Sequence, residues 1–175
     1  MDYRTEAPDI IKGFLTYHET IKGHSRKTVD EYYLDLRNFF RFLKIQRGIV
    51  PRNTELEDIS ISDIDLDFVR SVTVTEAYEY LSFMTRDKIK NQRSREAEYG
   101  TKASTRARKV STLRSFYKYL TVKAKLIDTN PLQDLDVPKI PHTLPLGNHK
   151  SILQVHHFLF CGKVHLCHVL DSRYK

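Results

Sequence analysis

Between Thr101 and Ile127 the chain carries eight basic side chains (Lys102, Arg106, Arg108, Lys109, Arg114, Lys118, Lys123 and Lys125) and no acid. Ala107, Val110, Leu113, Tyr117, Leu120 and Ala124 recur there at helical spacing, which predicts a helix from about Ala103 with these residues inward. The opposite face then carries Ser104, Arg108, Ser111, Thr112 and Ser115, short hydroxyls around an arginine. Small side chains let a helix lie deep in a major groove. Hydroxyls and cations bond phosphate oxygens, and an arginine fork can reach a guanine edge. The first turn, with Lys102, Thr105 and Arg106, adds free N–H groups and the positive end of the helix dipole. A merely solvated basic face is the competing account, but solvated helices usually mix both signs of charge.

A second cluster has the same chemistry. His24-Ser25-Arg26-Lys27-Thr28 opens another predicted helix. Ser25 is placed to accept a backbone N–H as its N-cap. Capping leaves Arg26, Lys27 and Thr28 free to meet phosphate from the same turn. Two basic, hydroxyl-bearing helix starts in one domain suggest a two-point grip on a duplex.

Both clusters need a scaffold, and the periodicity supplies an all-α one of four or five helices. The first begins near Pro8, with Ile10, Ile11, Phe14, Leu15, His18 and Ile21 on one face, and stops at Gly23. The second carries Val29, Tyr32, Tyr33, Leu36, Phe40 and Leu43 inward, with Arg41, Lys44 and Arg47 late, where they suit the dipole. Gly48 and Pro51 end it. Residues 49–62 form a connector without helical period. ISISDID alternates like a strand but lacks a partner, and Ile64, Leu66, Phe68 and Val69 suggest a short helical turn. Thr73 to Glu76 is a capping-box pattern opening a helix to about Lys90. NQRSREAEYGTK reads as an exposed loop. Asn130-Pro131 closes the basic helix, and Asp136 to Pro145, with three prolines, reads as an extended linker.

The whole composition agrees with a polyanionic partner. The 175 residues carry a net charge of +7, with 40% hydrophobic and 29% charged residues, a globular balance. No stretch approaches the ~20 apolar residues of a membrane span. The N-terminus lacks the pattern of a secretory signal. Both cysteines, Cys161 and Cys167, lie near the C-terminus, which fits a reducing, cytoplasmic setting. No small-molecule substrate, membrane partner or cofactor is expected.

KTVDEYYLDLRNFFRFL, then KASTRARKVSTLRSFYKYL, then NPLQDLDVPKIPHTLP together resemble the N-terminal core-binding (SAM-like) domain of tyrosine recombinases, most closely the Xer-type and phage-integrase-like members. Thr28, Tyr32, Asp35 and Leu36 match one family helix. Arg108, Ser111, Arg114, Phe116, Tyr117, Tyr119 and Leu120 match the later one, and Asn130-Pro131, Pro138, Lys139, Leu144 and Pro145 match the exit to the linker. The match covers about residues 8 to 145. It implies a helical domain that clamps one side of a recombination site through the helices at Ser25 and Ala103, beside other recombinase protomers. A linker would then lead into a catalytic domain whose tyrosine attacks a phosphodiester without metal or nucleotide. On this division residues 1–135 form the DNA-binding domain, 136–145 the linker and 146–175 an irregular tail.

The tail departs from the family plan. His156, His157, His165 and His168 include no His-x-x-Arg, and Tyr174 has no phosphate ligands preorganised around it. The expectation is therefore a chain that is not an enzyme by itself, its last thirty or so residues a frameshifted or truncated end. His156, His157, Cys161, His165, Cys167 and His168 are residue types that suit zinc, but their spacing matches no standard finger, and no metal is assigned. Two other functions stay open at this stage: a helix-turn-helix regulator on palindromic sites, and a non-catalytic modulator of an intact recombinase.

Overall fold

In the computed structural model, residues 3–86 and 100–139 are described. Proline at position 8, extended at φ −64° and ψ 155°, turns the chain from a single turn, α1 (Tyr3–Glu6), into α2 (Asp9–Thr16), which buries Ile11, Phe14 and Leu15. The helix then widens into a π turn over Tyr17–Ile21. That extra residue per turn shifts the register. Ile21, expected on the apolar face, is consequently 71% exposed, while His18 stays buried. Gly23 reverses the chain at φ +65°, a conformation that costs glycine little.

Ser25 caps α3 (Arg26–Gln46) by accepting from the Thr28 N–H at 3.3 Å. This long helix is the hub, packing against α2, α5 and α6. Its predicted stripe is buried apart from half-buried Tyr32, and Phe39 joins it. Arg41 and Lys44 do more than complement the dipole. Both are buried, donating to the Ile59 carbonyl at 2.7 Å and the Ser60 carbonyl at 2.7 Å. They fasten the connector, which also inserts Ile59, Ile61 and Ile64 into the core.

The short turn read at Ile64–Val69 is α4 (Leu66–Arg70), capped by Asp65. The capping box forms: the Thr73 N–H donates to Glu76 Oε2 at 2.8 Å, and the Glu76 N–H to Thr73 Oγ1 at 3.3 Å. It opens α5 (Val74–Arg86). The extension to Lys90 and most of the expected loop lie outside the described residues. The chain returns at Gly100 and runs into α6 (Ala103–Lys118), which widens in turn into a π turn over Tyr119–Lys123. Lys125, at φ 51°, ends the helical run before Asn130-Pro131 is reached, and Ala124 is only half-buried. Ile127, Leu132 and Leu135 then fold back into the core.

The two π turns abut. Tyr17 and Tyr119 meet at 5.2 Å between centroids with their rings tilted by 39°, and Phe14 meets Tyr119 at 5.7 Å and Phe116 at 5.4 Å, both edge-on. No strand occurs among the described residues, so the ISISDID segment is connector and the all-α expectation holds. Of the linker, only the part up to Lys139 is described. The tail and its histidines and cysteines lie outside the described residues.

Candidate nucleic-acid interface

The first turn of α3 is open. Arg26 and Lys27 are exposed and meet no carboxylate among the described residues. Half-buried Thr28 and exposed Ser25 share a hydroxyl–hydroxyl bond of 3.0 Å, so the cap and its neighbour are linked while the flanking cations stay free.

The α6 helix divides into two sides. Lys102, Ser104, Arg108, Ser111 and Arg114 are exposed, and Thr105 and Arg106 are half-buried. No side chain caps the helix, and Arg106 curls back to the Thr101 carbonyl. Ser111 donates to the Ala107 carbonyl one turn earlier, at 3.0 Å. Lys109 and Thr112, read from the sequence as contact residues, are corrected by their placement: they are 5% and 1% exposed and face α3.

What turns them inward is Asp35, 1% exposed in the middle of α3. Lys109 Nζ donates to its Oδ1 at 2.6 Å, Arg108 to its Oδ2 at 2.6 Å and the Thr112 hydroxyl to Oδ2 at 3.0 Å. Arg108 also pairs with Glu31, one turn earlier on α3, at 2.9 Å. A buried carboxylate is tolerated when its lone pairs are met by charged donors, and here three donors meet them. The seam between α3 and α6 is therefore polar, and the cations that build it are not available to a ligand. Arg108 alone belongs to both sides: its side chain is 40% exposed while it holds Asp35.

A second link joins the α3 start to the outer face of α6. His18 Nδ1 lies 3.4 Å from His24 Nδ1, and His18 Nε2 lies 3.3 Å from Ser115 Oγ. Phe14, Tyr17 and Tyr32 wall the His18 ring. Burial, with His24 and Lys22 adding repulsion, lowers its pKa to about 4. A hydrogen bond between the two Nδ1 atoms needs a proton on one of them, and Nε2 of His18 is left to bond Ser115. Because His24 immediately precedes Ser25, this link brings the Arg26-Lys27 turn alongside Ser115.

Ser115 also lines a cleft of about 610 Å³ that opens between the helix and the turn at residues 128–133. Arg114 and Lys118 line it, opposite Asn130 and Gln133, with Asp128 as its acid. The exposed face thus runs from the α3 start, across Ser111 and Ser115, to Arg114 and Lys118. No group of metal-ligating side chains occurs among the described residues, and none of their helices is long and apolar enough to cross a membrane.

Sequence reasoning places Asp35 in a family motif, Glu31 among the early acids that suit the dipole of its helix, and His18 on an apolar face; it does not find Asp35 as an anchor, the Glu31–Arg108 pair or the His18–His24 contact. One signal for Asp35 was present: it sits between Tyr33 and Leu36 on the inward side of α3, where an acid needs a partner.

The helical layout, the capped α3 and the α3–α6 seam define a SAM-like helical domain. Residues 11–124 match the family described as phage integrase, N-terminal SAM-like domain, and the chain belongs to that family. It is similar to the tyrosine recombinase XerC of Caldanaerobacter subterraneus subsp. tengcongensis, 43% identical over 150 residues, covering 83% of this chain and 39% of that protein. The XerC of Bacillus subtilis is 29% identical over 137 residues, covering 78% and 35%. That of Halalkalibacterium halodurans is 33% identical over 135 residues, covering 77% and 34%. The chain thus spans between a third and two-fifths of the length of these relatives. No solved structure gives a significant match. The family resemblance read from the motifs is borne out.

Proposed function

We propose that this chain grips duplex DNA as the core-binding domain of a site-specific tyrosine recombinase, in DNA recombination or integration. The observation that carries the reading is the free cationic face. Arg26 and Lys27 at the start of α3, and Lys102, Arg114 and Lys118 of the α6 segment, are exposed and form no ion pair with a carboxylate among the described residues, and the His24–His18–Ser115 link joins the two helices. Free cations of this kind displace condensed counterions from a phosphate backbone, and exposed hydroxyls such as Ser104 and Ser111 add backbone contacts. Residues 1–135 form the binding domain in this reading, with 136–145 as the linker. Cleavage and joining are assigned to none of the described residues. Other recombinase protomers are the natural further partners, and the relatives' names support the setting.

The test is equilibrium binding of the full chain to labelled duplex DNA across a salt series, with Arg26→Ala/Lys27→Ala and Arg114→Ala beside the wild type. Each phosphate contact adds about 0.9 to the slope of log affinity against log salt. The double variant should lower the slope by about 1.8 and Arg114→Ala by about 0.9, both with unchanged thermal stability. Absence of binding at low salt, or variant slopes equal to wild type, would overturn the proposal. Arg108→Ala is the poorer probe, because it also strips a partner from Asp35.

A further inference from the structure

The four charges at the α3–α6 seam cancel. Arg108 and Lys109 supply two positive charges; Asp35 and Glu31 supply two negative ones. Yet they sit differently. Asp35 and Lys109 are buried, whereas the side chains of Glu31 and Arg108 are 44% and 40% exposed, at the mouth of the seam. The seam stays closed without Glu31, since Asp35 already holds Lys109, Arg108 and Thr112. Glu31 therefore adds little to the packing, and it places a part-exposed carboxylate directly beside Arg108, one turn from Arg26 and Lys27.

Such a carboxylate has two physical effects on a ligand approaching Arg108. A phosphate brings a full negative charge next to Glu31 and is repelled at close range. A guanine edge brings two neutral acceptors, O6 and N7, and meets no such penalty. Meanwhile the bond at 2.9 Å to Glu31 and that at 2.6 Å to Asp35 fix the guanidinium plane, so its remaining donors point in one direction. Arg26 and Lys27 carry no such restraint and suit the backbone.

We propose that Glu31 is a specificity-determining residue: it holds Arg108 as a base reader and bars it from serving as one more phosphate contact. The inference rests on the DNA-binding reading above. It assigns the face two kinds of cation. The free ones give affinity for any duplex, and the one tethered by Glu31 gives discrimination, with the Glu31 carboxylate itself available to a cytosine N4 amine.

The experiment uses the full chain. Wild-type protein first enriches a duplex from a randomised pool. Wild type, Glu31→Gln and Glu31→Asp are then titrated with that duplex and with a scrambled duplex of equal length across a salt series. Glu31→Gln is expected to bind the scrambled duplex roughly threefold to tenfold tighter, with a slope steeper by about 0.9, one further phosphate. Its ratio of selected to scrambled affinity should fall about tenfold. Glu31→Asp, which keeps the charge, should retain most of the ratio. An unchanged ratio in Glu31→Gln, or equal weakening on both duplexes, overturns the assignment. So does a pool from which wild type binds DNA but enriches no sequence, an outcome that leaves the DNA-binding reading standing. Wild type that binds no duplex at all overturns both.

Discussion

The first turn of α3 and the α6 helix both draw their polar side chains from cations, serine and threonine. In the fold they do opposite things. At α3 the serine caps, the cations stand clear, and nothing in the core depends on them. At α6, Lys109 and Thr112 are turned under the helix onto Asp35, and Arg108 stands with one side in the seam and one in solvent. The lesson is that a basic helix is not by itself a binding helix. Part of its charge holds the helix in place, and only the remainder faces outward.

The sharpest way to break this contrast is to remove the anchor. Asp35→Ala leaves Lys109 buried with no counter-charge, and loss of one partner of a buried pair costs about 3–5 kcal/mol. Urea unfolding should show that loss, while Arg26→Ala/Lys27→Ala should stay within about 0.5 kcal/mol of wild type. Equal stability of the two variants would erase the distinction between structural and free cations.

A smaller effect sits at the link between the two regions. Burial first, and the neighbouring His24 and Lys22 next, lower the His18 pKa from 6.5 to about 4. The unfolded chain therefore takes the proton first. The stabilising effect of neutral His18 is fully present above pH 6.5 and is lost as pH falls from 6.5 towards 4. The slope is at most about 1.4 kcal/mol per pH unit. Urea midpoints of wild type and His18→Phe, compared at pH 7, 5.5 and 4.5, isolate this from titrating carboxylates: the gap between them should shift in favour of His18→Phe as pH drops. A constant gap would mean that His18 is not held neutral by its site.

The smallest effect concerns Tyr80. Its hydroxyl is buried near the Asp35 cluster with no hydrogen-bond partner among the described residues. Removing an unsatisfied buried hydroxyl forfeits no bond. Tyr80→Phe should leave thermal stability within about 0.5 kcal/mol of wild type or raise it slightly. A clear loss would mark that hydroxyl as part of the anchor.

Much of this architecture could be read from the sequence, for identifiable reasons. Ser25, the Thr73–Glu76 box and Gly48 are local signals, complete within one turn of chain, and each acts where expected. The errors arose where the cause was distant or the helical period changed. Ile21 and Ala124 were placed by assuming 100° per residue through segments that wind as π turns. Lys109 and Thr112 were assigned to the surface because their partner, Asp35, lies more than seventy residues away in sequence. Free and paired cations look alike until that partner is found. The His18–His24–Ser115 link escaped for the same reason, since Ser115 lies 97 positions after His18.

The junction before α6 has a consequence for engineering. Gly100 sits at φ +81°, where any added Cβ would run into the Thr85 carbonyl, and Thr101 returns its N–H to the Met84 carbonyl at 2.9 Å. The exit of α5 and the entry of α6 are thus clasped together. Replacing Gly100 by a residue with a Cβ would therefore disturb the start of α6, which makes Gly100→Ala a way to shift Lys102 and Arg108 without altering either side chain.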